Sequence, residues 1–287
     1  MPVAIDLGHD WDAGVMSAVH GTSDMMDQIK AADMDTLRDR FRNGTSKERA
    51  AINATLSPVE IEFADIRMVV DPRDNYTETC IWLEGYPPEL KSLLALVQLV
   101  EDRNVLVLDI GANCGAFTIP LGLASGDGSR VVAFEPNPVM IGRLATNIQL
   151  NDLHSKVRIE GCALSDRDGE AVLNFRGHNY GQASLKRVQP RQRTGGLLVP
   201  TRPLSAFTDA AKNHDLTVIK IDVEGAEEVV LNPMLDGAAD GGWLPDAILI
   251  EVRHAHQWQT DLCAKILAAG FEETLQAEGN ALYIKKK

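Results

Sequence analysis

An α/β architecture on a mainly parallel sheet follows from three features of the chain. Short Val/Ile/Leu runs, VLVLDI, VVAFE, VRIEGCAL, LTVIKIDV and DAILIEV, alternate with helical stretches from residue 105 onward. Runs of this kind suit strands covered on both faces, and their alternation with helices implies right-handed βαβ crossovers. The first of them passes directly into a turn bounded by Gly111 and Gly115 and then into a helix. Finally, GFEETLQ, AEGN and ALYIKKK read as two strands around a tight polar turn, so the last strand should run antiparallel to its neighbour.

The elements before the sheet divide the chain into residues 1–58, a helical N-terminal extension, and 59–287, the main domain. From about Ser23 to Leu56 the sequence is polar and charged with scattered apolar residues, the pattern of helices packed on something larger. These Met-containing helices fit a substrate lid or a homodimer contact equally. VEIEFADIRMVV alternates over its first half like a half-buried strand, and DPRDN supplies a turn. After GYPPEL, whose prolines suit a helix start, Leu90, Leu93, Leu94, Val97 and Val100 recur at helical spacing. Between Gly169 and Pro200, EAVLNF, ASLKRV and GLLVP are separated by Gly, Asn and basic residues, which reads as an inserted hairpin or loop. Its Lys186, Arg187, Arg191 and Arg193 suit either an acidic acceptor or a solvated charged loop.

The chain has 287 residues, 45% hydrophobic, enough for one or two domains with a sizeable core. Its 41 acidic and 28 basic residues leave a net charge of -13, which disfavours nucleic acid as a partner. LLALVQLV falls far short of the roughly 20 apolar residues that span a bilayer, and the start lacks a basic segment followed by an apolar one. The expectation is a cytoplasmic protein without a membrane span, its four scattered cysteines reduced.

The glycine turn carries the most chemistry. A strand followed by glycines and a helix puts backbone N–H groups at the carboxyl edge of a sheet, where open α/β sheets bind ligands. Dinucleotide sites place a middle glycine where Ala112, Asn113 and Cys114 stand here, and Asp109 would add negative charge beside any phosphate. A ligand with a sulfonium and an ammonium but no phosphate reverses that preference, and S-adenosylmethionine is such a ligand. Glu135, twenty residues beyond Gly115 at the end of the next strand, is placed to accept from ribose hydroxyls. The competing structural reading makes Asp109 and Asn113 helix caps and Glu135 a solvated loop residue. Cys114 reads as a small apolar filler rather than an activated thiol.

GANCG, VVAFEPNP, NIQLNDL, CALSD and IKIDVEGAE, in this order, closely resemble the FkbM family of S-adenosylmethionine-dependent methyltransferases over about residues 60 to 255. The resemblance implies a class I methyltransferase Rossmann-like sheet, mainly parallel with an antiparallel C-terminal strand. It implies methyl transfer to a hydroxyl oxygen on a sugar, polysaccharide component or secondary metabolite. On this resemblance Asp109, Gly111, Ala112, Asn113 and Gly115 fall on the cofactor loop and Glu135 on the ribose position. Ala163 and Leu164, followed by Ser165 and Asp166, match the segment beside the adenine, with Asp222 on the cofactor side of the fourth strand. The family's frequent Leu-Asp-Asp before that strand is replaced by Leu204, Ser205 and Ala206.

A sugar-like hydroxyl is a poor nucleophile at neutral pH, so a base or a metal ion should assist it. Asp222 and Glu224 end the fourth strand, while Glu251, His254 and His256 follow the fifth, all at the cofactor's edge of the sheet. The catalytic candidates are Asp222, Glu224, Glu251 and His254. One of them acts as base, or Asp222, Glu224 and Glu251 gather a divalent cation. The structural alternative is a helix N-terminal glutamate and surface histidines. The expected partner is a small-molecule or saccharide acceptor. Rival functions on the same fold are an NAD-dependent oxidoreductase, disfavoured by the missing glycine, and a non-catalytic S-adenosylmethionine-binding protein. A nucleobase methyltransferase is disfavoured because DVEG stands where an [ND]-P-P-[YF] turn would be expected.

Overall fold

The computed structural model describes residues 25–176, 179–187 and 196–286. Two compact units meet in sequence after Ser57. In the first, helices α1 (Met34–Asn43) and α2 (Ser46–Asn53) are each started by a side-chain cap, from Asp33 and Thr45. Arg40 bridges the two helices by pairing with Glu48 at 2.7 Å.

The second unit starts with a hairpin rather than the single strand read from VEIEFADIRMVV. β1 (Val59–Phe63) and β2 (Ile66–Val70) pair antiparallel. Ala64 and Asp65 both take positive φ between them, the geometry that a two-residue hairpin turn demands. Helix α3 (Tyr76–Glu84) follows, an element the hydrophobic pattern did not reveal because its apolar positions form no clear stripe. Helix α4 (Leu90–Val100) begins where the prolines suggest and buries Leu93, Leu96 and Val100; Leu94 instead stays 49% exposed.

The central sheet has the order β12-β13-β11-β10-β3-β4-β5. β3 (Val105–Ile110), β4 (Arg130–Phe134), β5 (Val157–Glu160), β10 (Leu216–Ile221) and β11 (Ala247–Glu251) run parallel. β13 (Asn280–Lys285) lies antiparallel between β11 and β12 (Phe271–Ala277), joined to β12 across Glu278 and Gly279 as the terminal hairpin pattern anticipates. Every residue of β3 and β11 is buried, the cause of their unbroken apolar runs. On one face Leu106, Leu108 and Ile110 join a core with Val230 and Leu231 of α7 (Glu227–Gly237) and Leu262 and Ile266 of α8 (Leu262–Ala268). Each such side chain contributes about 1.5–3 kcal/mol by leaving water. Helices α5 (Thr118–Ala124) and α6 (Pro138–Leu150) make the crossovers from β3 to β4 and from β4 to β5.

The run VRIEGCAL serves two sheets. It turns at Gly161, and β6 (Ala163–Ser165) leaves β5 to pair with β9 (Leu197–Pro203). β7 (Gly169–Arg176) and β8 (Asn179–Arg187) complete a small four-stranded sheet of order β6-β9-β7-β8, which is the inserted hairpin with β9 and β6 added. Among the described residues no helix is long and apolar enough to cross a membrane.

Candidate active site

The parallel register brings the ends of β3, β4, β10 and β11 to one edge, and two clefts open there. Gly111 leaves β3 with φ +80°, and a Cβ on it would stand 2.0 Å from the Asp222 carbonyl oxygen, so only glycine lets the two loops approach this closely. The N–H groups of Gly111 and Ala112 donate to the Phe134 carbonyl at 3.1 and 3.0 Å. Asn113 takes φ +52° and donates its N–H to Glu135 Oε2 at 2.9 Å, while Glu135 Oε1 accepts from Asn137 N at 2.8 Å. Burial pushes the Glu135 carboxyl up to about 7, against the pull of these two donors. Gly115, also at positive φ, abuts Leu144 of α6, where a Cβ would come within 2.8 Å.

The first cleft lies over this loop. Of the residues assigned to the cofactor from sequence, Gly111, Asn113, Glu135, Ala163, Leu164 and Asp222 line it, with Phe134 and Leu173 adding apolar wall. Ala112 and Gly115 shape the turn from behind. Cys114 is wholly buried, and burial drives its thiol well above the usual range, as an inert filler requires.

Asp109 is not at the mouth of the turn. Its carboxylate is completely buried beneath the loop, where Oδ2 accepts from the Thr118 hydroxyl and Oδ1 faces Lys220 Nζ at 3.5 Å. Lys220 Nζ also donates to the Gly111 carbonyl at 3.0 Å. Burial alone would lower the Lys220 ammonium, but Asp109, Asp222 and Glu89 outweigh it and hold the group above its ordinary value. The negative charge that sequence reasoning aimed at the ligand is therefore cancelled by an ion pair that braces the loop. The missed signal is a lysine inside the mostly aliphatic strand LTVIKI, a residue type almost never buried unless paired.

The second cleft is polar and lies beyond Asp222. Its walls come from Tyr76 and Thr77 of α3, Glu89, and the Glu251, Arg253 and His254 segment, none of the first three legible as site residues in the sequence. Asn113, Asp222 and Glu224 line both clefts. After β10 the chain turns with Glu224 at φ +55° and Gly225 at φ +99°. His254 Nδ1 lies 2.9 Å from Glu251 Oε2, and its Nε2 lies 3.7 Å from Glu224 Oε2. The hydrogen bond to Glu251 raises His254 above its ordinary value; burial, and then Asp222, pushes Glu251 up to about 7. His256 is not part of the wall, its ring centroid standing 6.2 Å from that of His254.

Among the described residues, the carboxylates close enough to share a cation are Asp222, Glu227 and Glu251, within 4.8 Å of one another, rather than the set containing Glu224. Glu227 accepts from Val223 N, Gly225 N and Trp258 Nε1 at 3.0, 3.2 and 3.0 Å. These bonds hold the turn after β10.

A seven-stranded sheet of this order, with one antiparallel strand next to the last and clefts beyond the carboxyl ends of β3, β4 and β10, is that of a class I methyltransferase. Residues 109–276, more than half of the chain, match the Methyltransferase FkbM domain, and the chain belongs to that family. It is 29% identical over 155 residues to the methyltransferase sdnD of Sordaria araneosa, covering 45% of this chain and 60% of that one. It is 30% identical over 97 residues to a ribosomal protein L11 methyltransferase of Herpetosiphon aurantiacus, covering 34% of this chain and 30% of the relative. The chain thus spans less than two thirds of either curated relative. Among solved structures, a methyltransferase FkbM from Methylobacillus flagellatus KT superposes with a TM-score of 0.41 at 15% identity, covering 96% of this chain and 60% of that one.

Proposed function

We propose that this protein is an S-adenosylmethionine-dependent O-methyltransferase acting on a hydroxyl of a sugar, polysaccharide component or secondary metabolite. The observation that carries the reading is the meeting of two clefts at Asn113, Asp222 and Glu224, with a hydrogen-bonded Glu251–His254 pair in the second cleft alone. The donor fits the first cleft in chemistry: a glycine cradle at Gly111, a buried carboxylate at Glu135 for ribose hydroxyls, and apolar walls at Ala163 and Leu164 for a base. When bound, S-adenosylmethionine supplies the methyl group on a sulfonium. Asp222, shared by both clefts, favours positive charge where the two ligands meet.

On the acceptor side His254 is the base. Glu251 accepts from Nδ1–H, which leaves Nε2 unprotonated toward the cleft to take the hydroxyl proton, and Glu251 then stabilises the imidazolium. Glu224, beside Nε2, helps orient the hydroxyl. No step needs a metal. Labelled methyl transfer to sugars, polysaccharide fragments and hydroxylated metabolites, with and without chelator, tests the reading. We expect oxygen-methylated product that chelator does not suppress, and a drop of about 10²–10⁴-fold in kcat/KM for His254→Ala with binding of S-adenosylhomocysteine retained. Nitrogen methylation, or an active His254→Ala, would overturn it.

A further inference from the structure

Asn75 ties the two clefts together. It is only 2% exposed, and its side chain works in two directions. Its Oδ1 accepts from Glu78 N at 3.1 Å and so caps α3, whose first residues, Tyr76 and Thr77, wall the second cleft. Its Nδ2 donates to Asn113 Oδ1 at 2.7 Å. Asn113 lines both clefts, holds its left-handed turn with a bond from Cys114 N to the same Oδ1 at 2.8 Å, and gives its own N–H to Glu135. An unbroken run of hydrogen bonds therefore leads from the Glu135 carboxylate, through Asn113 and Asn75, to the N-terminal turn of α3.

A capping residue needs only an acceptor. Asn75 also uses its donor, giving it to Asn113, one of the three residues common to both clefts, and to Met140 Sδ at 3.1 Å. A ligand that orders Asn113 from the donor side spares a second ligand the entropy of ordering the same link, and thermodynamic reciprocity makes the effect mutual.

We propose that Asn75 is a positioning residue that couples the donor cleft to the acceptor wall, so that a donor held against Glu135 and Asn113 orders the first turn of α3 for the acceptor. The inference rests on the assignment of the first cleft to the methyl donor.

The test is amide hydrogen exchange in the full chain, with and without S-adenosylhomocysteine, which needs no known acceptor. In the parent protein the ligand should slow exchange in residues 111–115 and, by about fivefold or more, in residues 76–80, since couplings between sites commonly begin at that size. In Asn75→Ser, whose shorter hydroxyl keeps the cap without reaching Asn113, the slowing at 111–115 should persist and that at 76–80 should vanish. Asn113→Gly breaks the link from the other end, because glycine accepts the left-handed φ and keeps the N–H to Glu135. Protection of 76–80 that survives in both variants, or is absent from the parent while 111–115 is protected, overturns the coupling and leaves the donor assignment intact. A parent protein that shows no protection at 111–115 overturns the donor assignment, and the coupling with it.

Discussion

The 2.9 Å contact between His254 Nδ1 and Glu251 Oε2 sets the pH range in which the proposed base can work. A base must be neutral before it accepts a proton, and Glu251 holds His254 above its ordinary value. Rate should therefore fall as pH drops through that raised value. In Glu251→Gln the raising charge is gone, so the acidic limb of the kcat/KM profile should move to lower pH while the plateau falls, the imidazolium having lost its partner. A limb that stays in place would show that Glu251 does not position His254. At this scale the sequence was informative for carboxylates at strand ends: Glu135, Asp222, Glu224 and Glu251 all reach the carboxyl edge because parallel strands deliver their C-termini there. It misjudged Asp109, because one residue of strand register separates a side chain aimed at a ligand from one sealed beneath the loop.

Between elements, β3 and β10 are joined by their ladder and by the Asp109–Lys220 pair under the glycine turn. Lys220→Met should destabilise the protein by about 3–5 kcal/mol, because it strands a buried carboxylate. Adding Asp109→Leu should recover much of that loss, since a buried pair replaced by apolar residues is often neutral. Urea denaturation of the two variants measures both effects, and additive losses would mean that the groups do not interact. Strand identity was readable at this level from β-branched and aliphatic runs, whereas sheet membership was not. VRIEGCAL carries one apolar pattern yet divides at Gly161 between the central and the small sheet, and VEIEFADIRMVV folds back at Ala64 and Asp65. The first break depends on β9, a partner distant in sequence, whereas the second is a local hairpin set by its two-residue turn.

For the whole molecule, every residue assigned to catalysis lies after Pro58, in the second compact unit. We place the methyltransferase machinery there, and the role of the preceding helices as lid or dimer contact stays a proposal. If the first cleft takes the donor, S-adenosylhomocysteine at a hundred times its Kd should add about 2.7 kcal/mol to stability. For a unit of this size that corresponds to a rise in Tm of about 5–10 °C. NAD⁺ at the same concentration should leave Tm unchanged, for want of a glycine at the pyrophosphate position. A shift with NAD⁺ alone, read in a thermal melt, would restore the oxidoreductase reading. The net charge of -13 disfavours phosphate-rich polymers as partners.

Amino-acid order by itself determined the alternation of strands and helices, the antiparallel close of the sheet and the family, because hydrophobic period and turn residues act over neighbours in the chain. Tertiary structure alone decided what faces what. Lys220 neutralises Asp109 from 111 positions away, Glu227 is taken up by a turn and an indole, and Asn75 reaches Asn113 across 38 residues. Such pairings arise from the approach of separate elements in a buried space of low polarity, where each charge and each donor must find a partner, and no local pattern records which partner that is.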